Sequence, residues 1–248
     1  MISIKNKFAQ KQMAEAGKLL ADIFYSLSAN VRPGMSTLAV NAWIEEQIDH
    51  KKLVSEMQGY MGYKHVSCIS INDEVVHGVP RADKKIAEGD LVKVDVCVSW
   101  QGYCADMARC FYFGNDAKSC KLIAVASESL NHGIEKMVAG SHLSDISAAI
   151  QATVERAGFG VVKDFAGHGI GKKMHEDPEI LNYGKPGNGP LVQVGMAFAL
   201  EPMITSGNYE VFVANDGWTV KTKDKSLAAH VEDTVIVTED GPCITTRL

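Results

Sequence analysis

Apolar residues at Ala16, Leu19, Leu20, Ile23, Phe24 and Leu27 recur three and four apart, which predicts an amphipathic helix from Lys5 to about Asn30. Arg32-Pro33-Gly34 ends it. Ser36 is the expected N-cap of a second helix running to about Lys52, with Leu38, Trp43, Ile44 and Ile48 turned inward. Asp116–Val138 and Ser144–Ala157 repeat the design, closing on Gly140 and Gly158. Around these helices the pattern changes to runs that read as strands: Val66–Ile71, Leu91–Ser99, Tyr103–Phe113, Gly160–Phe165, Met196–Ile204, Glu210–Ala214, Trp218–Val220 and His230–Val237. Gln101-Gly102 and Asn215-Asp216-Gly217 mark turns. Two helices then strands, twice over, predicts an α+β fold of two similar halves, with four helices on one face of a largely antiparallel sheet. The Gly- and Pro-rich stretch Asn182–Pro190 reads as a surface loop, so residues 1–248 are expected to form a single domain.

Composition narrows the setting. Of 248 residues 46% are hydrophobic and 22% charged, no apolar run approaches membrane-spanning length, and Met1 to Lys7 lack the apolar block of a secretory signal. These features predict a cytoplasmic globular protein with no membrane partner. Twenty-five Lys and Arg against 30 Asp and Glu give a formal charge of −5, with no basic run longer than a pair, which argues against nucleic acid as a partner. Six cysteines without a C-x-x-C pair read as reduced, buried small hydrophobes, with Cys68 a candidate pocket residue. No heptad repeat is visible, so a monomer is expected.

The placement of some acids is unusual. Leu91 to Ser99 alternates strictly, with Val92, Val94, Val96 and Val98 on one face and Lys93, Asp95, Cys97 and Ser99 on the other. A two-residue turn at Gln101-Gly102 puts Asp95 on one face with Cys104, Asp106, Ala108 and Cys110, so that Asp95 and Asp106 lie opposite or diagonal. Carboxylates that close repel unless protonated or bridged by a cation. Glu201 and Glu232 repeat the anomaly in two more apolar strands, and Lys93 and Arg109 are the only strand cations nearby to neutralise four acids. His168, between glycines in Ala166 to Gly171, adds an imidazole on a tight backbone; His175 and His77 supply two more. Four carboxylates and one imidazole suit two divalent ions such as Mn, Fe(II), Co or Zn, whose charge of +4 balances −4. Such a pair acidifies water and polarises a carbonyl, the chemistry of hydrolysis.

The ordered set Asp95, Asp106, His168, Glu201 and Glu232, with the segments GHGIG…HEDP, EPMI and DGWTVKTKD, resembles the type I methionine aminopeptidases of bacteria along nearly the whole chain. The resemblance implies the pita-bread fold in its short bacterial form, since 248 residues leave no room for the extra N-terminal domain of prolidases. It implies a metalloaminopeptidase that removes initiator methionine from nascent chains with a small second residue, at or near the ribosome, by attack of a hydroxide between two metal ions. Carried over by position, Asp106 and Glu232 bridge the metals, Asp95 chelates one, and His168 with Glu201 completes the other. His77, His175 and Glu201 are the implied catalytic residues: His175 polarises the scissile carbonyl, His77 contacts the peptide nitrogen and Glu201 shuttles a proton. Met57, Tyr60, Tyr63, Cys68, Met174 and Trp218, with His77 and His175, would hold the substrate methionine.

Near the ligands the chain departs from the common pattern. Met107 follows Asp106 where Ser or Thr is common, and Ala166 replaces a usual Cys. The pattern Ala-Gln-Phe/Tyr-Glu-His-Thr becomes Ala229-His230-Val231-Glu232-Asp233-Thr234. These changes leave two alternatives open: a divergent accessory aminopeptidase with shifted first-residue specificity, or a non-catalytic peptide-binding relative.

Overall fold

The computed structural model describes residues 1–248. The four expected helices are α1 (Lys7–Asn30), α2 (Thr37–His50), α3 (Ala117–Ile134) and α4 (Leu143–Arg156). Side chains fix their starts: Asn6, Ser36 and Asp116 each accept a first-turn backbone N–H, and Asp145 accepts the N–H of His142 ahead of α4. α1 buries Ala16, Leu20, Ile23, Phe24 and Leu27 as its spacing predicts. On α2 the inward stripe is Val40, Ile44 and Ile48; Leu38 is exposed and Trp43 half-buried, so the inward face sits further round the helix than expected.

The strands are β1 (Val54–Ser55), β2 (Cys68–Ile71), β3 (Glu74–Val76), β4 (Leu91–Trp100), β5 (Tyr103–Tyr112), β6 (Gly160–Val161), β7 (Ala166–Gly169), β8 (Glu176–Leu181), β9 (Ala197–Leu200), β10 (Met203–Thr205), β11 (Val211–Val213), β12 (Val220–Thr222), β13 (Ala228–His230), β14 (Glu232–Thr238) and β15 (Gly241–Ile244). The main sheet runs β1-β4-β5-β14-β9-β7-β8, with β2 also on β4 and β15 on β14, and its pairings are antiparallel. Two small sheets, β13-β10-β6 and β11-β12-β3, complete it.

Several strand expectations need correction. Two strands, β7 and β8, form in a stretch where no strand is expected, and His168 lies on β7. Met196–Ile204 is interrupted at Glu201-Pro202, giving β9 and β10, because Pro202 has no N–H for the ladder. His230–Val237 is interrupted at Val231, giving β13 and β14. The interruptions face each other, since Leu200 pairs with Asp233 on one side and Met203 with His230 on the other in one unbroken register. Thus two long strands serve two sheets, and Glu201 and Glu232 stand at the crossover. Cys120 and Cys243 are exposed; Cys68, Cys97 and Cys104 are buried, and all six cysteines are free.

All four helices cover one face. α1 and α2 pack on Val92, Val94, Val96 and Val98, while α3 and α4 pack on Phe198, Leu200, Val235 and Val237. The alternation of the strands therefore turns Asp95, Asp106, Glu232 and their neighbours to the opposite face. α1 approaches the C-terminal stretch without a side chain between them: a Cβ on Gly17 would overlap the Thr245 carbonyl. Gly17→Ala should therefore destabilise the protein by up to about 2 kcal/mol, overpacking of about 1–3 kcal/mol set against a helix-propensity gain of about 1 kcal/mol. Urea unfolding checks this, and a rise in stability would contradict the packing described.

Candidate metal centre

The register of the main sheet builds the site as two adjacent rows of side chains. In one row Cys68, Asp95, Ala108 and Glu232 lie opposite one another on β2, β4, β5 and β14, and the unbroken register brings Glu201 opposite Glu232. In the next row Cys97 faces Asp106, Thr234 faces Ala199, and Ala199 faces His168. The Thr234 hydroxyl joins β14 to β5 here, accepting from the Asp106 N–H at 2.8 Å and lying 2.9 Å from the Asp106 carbonyl. Asp95 is thus diagonal to Asp106. Ala108, Ala199 and Thr234 are small, which leaves the space above them to the acids and the imidazole.

Asp106, His168 and Glu232 can each bring one ligand atom within 4.8 Å of the others, and all three are buried. Nε2 of His168 lies 3.6 Å from Glu201 Oε1 and 3.9 Å from Asp106 Oδ2. Burial, with His175 alongside, pushes the His168 pKa down to about 4, so the ring is neutral. Its Nδ1 is 3.0 Å from the Gly169 carbonyl, to which it donates, leaving the Nε2 lone pair pointed at two carboxylates. Burial first, then the negative charge of neighbouring acids, raises Asp95, Glu201 and Glu232 well above the usual carboxylate range, and burial raises Asp106 too.

The chain supplies no cation to relieve this. Lys93 is buried but donates to the carbonyls of Asn72 and Leu91. Arg109 donates to Asp233 at 2.6 Å and to the Glu232 carbonyl at 2.5 Å; Asp233, fully buried, also accepts from Thr246 and Arg247. A buried carboxylate oxygen, Glu232 Oε1, has no hydrogen-bond partner. A lone pair facing carboxylates, four acids without a counter-charge and an orphaned oxygen together fit a divalent cation, held by oxygen and imidazole donors.

A cavity of about 280 Å³ opens on these groups, lined by Asp95, Asp106, His168, Glu201 and Glu232 on one side. Met57, Tyr60, Tyr63, Cys68, Met174 and Trp218 line the other, with His77 and His175 between. Every residue expected at the site is therefore in one cavity. Tyr63 packs on Trp218 at 4.9 Å between ring centroids and donates to the Ser67 carbonyl. His175 stands edge-on to His168 at 4.4 Å, its Nδ1 3.0 Å from Tyr60 Oη. His77 adopts a left-handed backbone, φ 58°, and meets the Phe165 ring at 5.5 Å. A second groove of about 380 Å³ shares His77, His168, His175 and Glu201 and continues past Phe165, Ala166, Glu176 and Glu179.

Three more residues stand at the site beyond those to which the resemblance assigns a role. Cys97 and the exposed Met61 also line the cavity, and His230 Nε2 lies 3.4 Å from Glu201 Oε2. The sequence already sets two of them beside the acids: Cys97 shares the face of Asp95, and His230 stands two residues from Glu232.

Residues 11–239 match metallopeptidase family M24. The chain is 44% identical over 247 residues to a methionine aminopeptidase of Clostridium acetobutylicum, covering 99% of each chain. The crystal structure of methionine aminopeptidase from Thermotoga maritima superposes with a TM-score of 0.98 at 40% identity, covering the whole of both chains. Prolidase from Pyrococcus furiosus shares the fold, with a TM-score of 0.77 at 20% identity, and the chain spans 65% of it. The expected pita-bread architecture is thus the observed one, and the chain belongs to metallopeptidase family M24, among its methionine aminopeptidases.

Proposed function

We propose that the protein hydrolyses the first peptide bond of peptides and nascent chains that begin with methionine and continue with a small residue. The observation that carries this reading is the single cavity in which a thioether and aromatic lining meets the carboxylate and imidazole cluster. Asp95, Asp106, His168, Glu201 and Glu232 would hold two divalent ions, whose charge would neutralise the four carboxylates. When bound, these ions supply Lewis acidity, polarising the scissile carbonyl and acidifying water.

The chain's own groups do the rest. Met57, Tyr60, Tyr63, Cys68, Met174 and Trp218 take the methionine side chain, a flexible thioether among polarisable surfaces. Its α-amino group comes beside Asp95, which restricts cleavage to the first residue. Burial lowers the His175 pKa, so the ring is neutral at pH 7; with Nδ1 accepting from the Tyr60 hydroxyl, the proton sits on Nε2, ready to donate to the carbonyl oxygen as it gains charge. His77, also held neutral by burial, contacts the peptide nitrogen. Glu201 carries a proton on its carboxylate to the leaving amine. The contact of His77 with Phe165 narrows the passage into the second groove, which favours a small second side chain and receives the rest of the peptide. The whole chain acts as one domain and as a monomer, in the cytoplasm on nascent chains.

Three tests follow from these assignments. Metal-stripped protein, resupplied with Mn, Fe(II), Co or Zn, should cleave Met-Ala-Ser and leave Leu-Ala-Ser intact; no cleavage with any ion refutes the enzyme, and preference for leucine refutes the methionine pocket. Glu201→Ala and His175→Ala should each lower kcat about 10²–10³-fold, the scale of a lost transition-state contact, with the circular dichroism unchanged. The third test concerns pH. The folded apoprotein keeps protons on its raised carboxylates that the unfolded chain releases above about pH 4, so the folded state binds more protons and its stability falls as pH rises from there. Bound cations displace those protons, so the gap in Tm between loaded and stripped protein should widen from pH 5 to pH 8; a constant gap would show that the acids are already ionised.

A further inference from the structure

His230 is the buried polar group that the reaction leaves unused. It ends β13, is 1% exposed, and neither ring nitrogen has a hydrogen-bond partner. Such a group is costly when nothing satisfies it, and native interiors hold few of them. One partner is within reach. Nε2 lies 3.4 Å from Glu201 Oε2, while the other oxygen of that carboxylate, Oε1, lies 3.6 Å from His168 Nε2. Glu201 is therefore placed between two imidazoles, one at each oxygen. The pairing explains why: His230 faces Met203, two residues beyond Glu201, and so sits diagonally across from it.

Glu201 is in need of such a hold. It occupies the break between β9 and β10, where Pro202 contributes no ladder bond, and its only anchor is its backbone carbonyl, which accepts from Asn182 at 3.0 Å. Burial and the charges of Asp95 and Asp106 act on its carboxylate, and no hydrogen bond to it offsets them. His230 Nε2 approaches Glu201 by Oε2, while His168 Nε2 approaches it by Oε1. His230 is thus suited to act through Glu201 and not on a cation directly.

We propose that His230 is a positioning residue for Glu201: its Nε2–H donates to Oε2 and so turns Oε1 to the cation and the substrate. The separation of 3.4 Å needs to shorten by only a few tenths of an ångström to become a charge-assisted bond. The inference rests on the reading of Glu201 as a cation ligand. It makes His230 the partner that fixes the carboxylate's orientation, as carboxylates and carbonyls fix metal-bound histidines.

The test is calorimetric titration of the metal-stripped protein with Mn(II) and with Co(II), together with the Co(II) visible spectrum, for the wild type, H230L, H230A, H230Q and E201Q. H230L and H230A should weaken cation binding about 10–100-fold and lower kcat more than they raise KM. H230Q should recover most of the affinity, because its amide N–H reaches the same oxygen. Adding H230L to E201Q should cost no further affinity, since the two changes remove one interaction. Equal losses in H230Q and H230A would overturn the proposal, as would wild-type affinity in both H230L and H230A beside a weakened E201Q. A Co(II) spectrum of H230Q that reports one coordinated nitrogen fewer would also overturn it, by making His230 a ligand. If E201Q binds cations as the wild type does, the assignment of Glu201 itself falls, and the proposal with it.

Discussion

Four carboxylates gathered on one face of a sheet, without a counter-charge from the chain, set the terms for this molecule. Burial and mutual repulsion hold Asp95, Glu201 and Glu232 far from their ordinary ionisation. Protein interiors accept such charge only when it is paired, protonated or bound to a cation. Here the candidates for pairing are engaged elsewhere: Lys93 with backbone carbonyls and Arg109 with Asp233. The folded chain is therefore shaped to receive charge from outside itself, and the cost of assembling the acids is offset only when it does.

The sheet supports this concentration of charge through alternation. Valines on β4 face the helices while the residues between them face the cavity, so the same strand builds core and chemistry. Small residues at 108 and 199, and the hydroxyl of Thr234, keep side-chain bulk out of the centre while the surrounding rows stay in register. Behind the site, Asp233 gathers Arg109, Thr246 and Arg247, tying the end of the chain to the strand that carries Glu232. That network lies on the helix-covered side, so the two acids at 232 and 233 answer to opposite environments despite being neighbours.

Much of this was legible in the sequence because it follows from local rules. Strict alternation and a two-residue turn put Asp95 opposite or diagonal to Asp106, the ladder makes it diagonal, and cap residues such as Ser36 fix helix starts. The resemblance singled out residues that the fold brings together around one cavity. What could not be read depends on pairings between distant segments. The breaks at Pro202 and Val231 matter only because β9 with β10 meets β13 with β14, and nothing near residue 201 announces that partner. The glycines around His168 suggest a tight turn; β8 and β9 on either side make the segment a strand. The conversion of Asp233 into an arginine clamp likewise needs the C-terminus, which lies beside it only once the chain has folded.

The shared strands carry a mechanical consequence. Because β9 with β10, and β13 with β14, each run from the main sheet into a smaller one, the line along which the two sheets could swing passes through residues 201 and 232. Any bending there would pull Glu201 and Glu232 away from the other acids and His168. Closure over a substrate by movement of these sheets is thus incompatible with keeping the centre intact. The cavity must discriminate among guests by the shape it already has, with adjustment confined to the side chains and turns at its mouth, such as Met61.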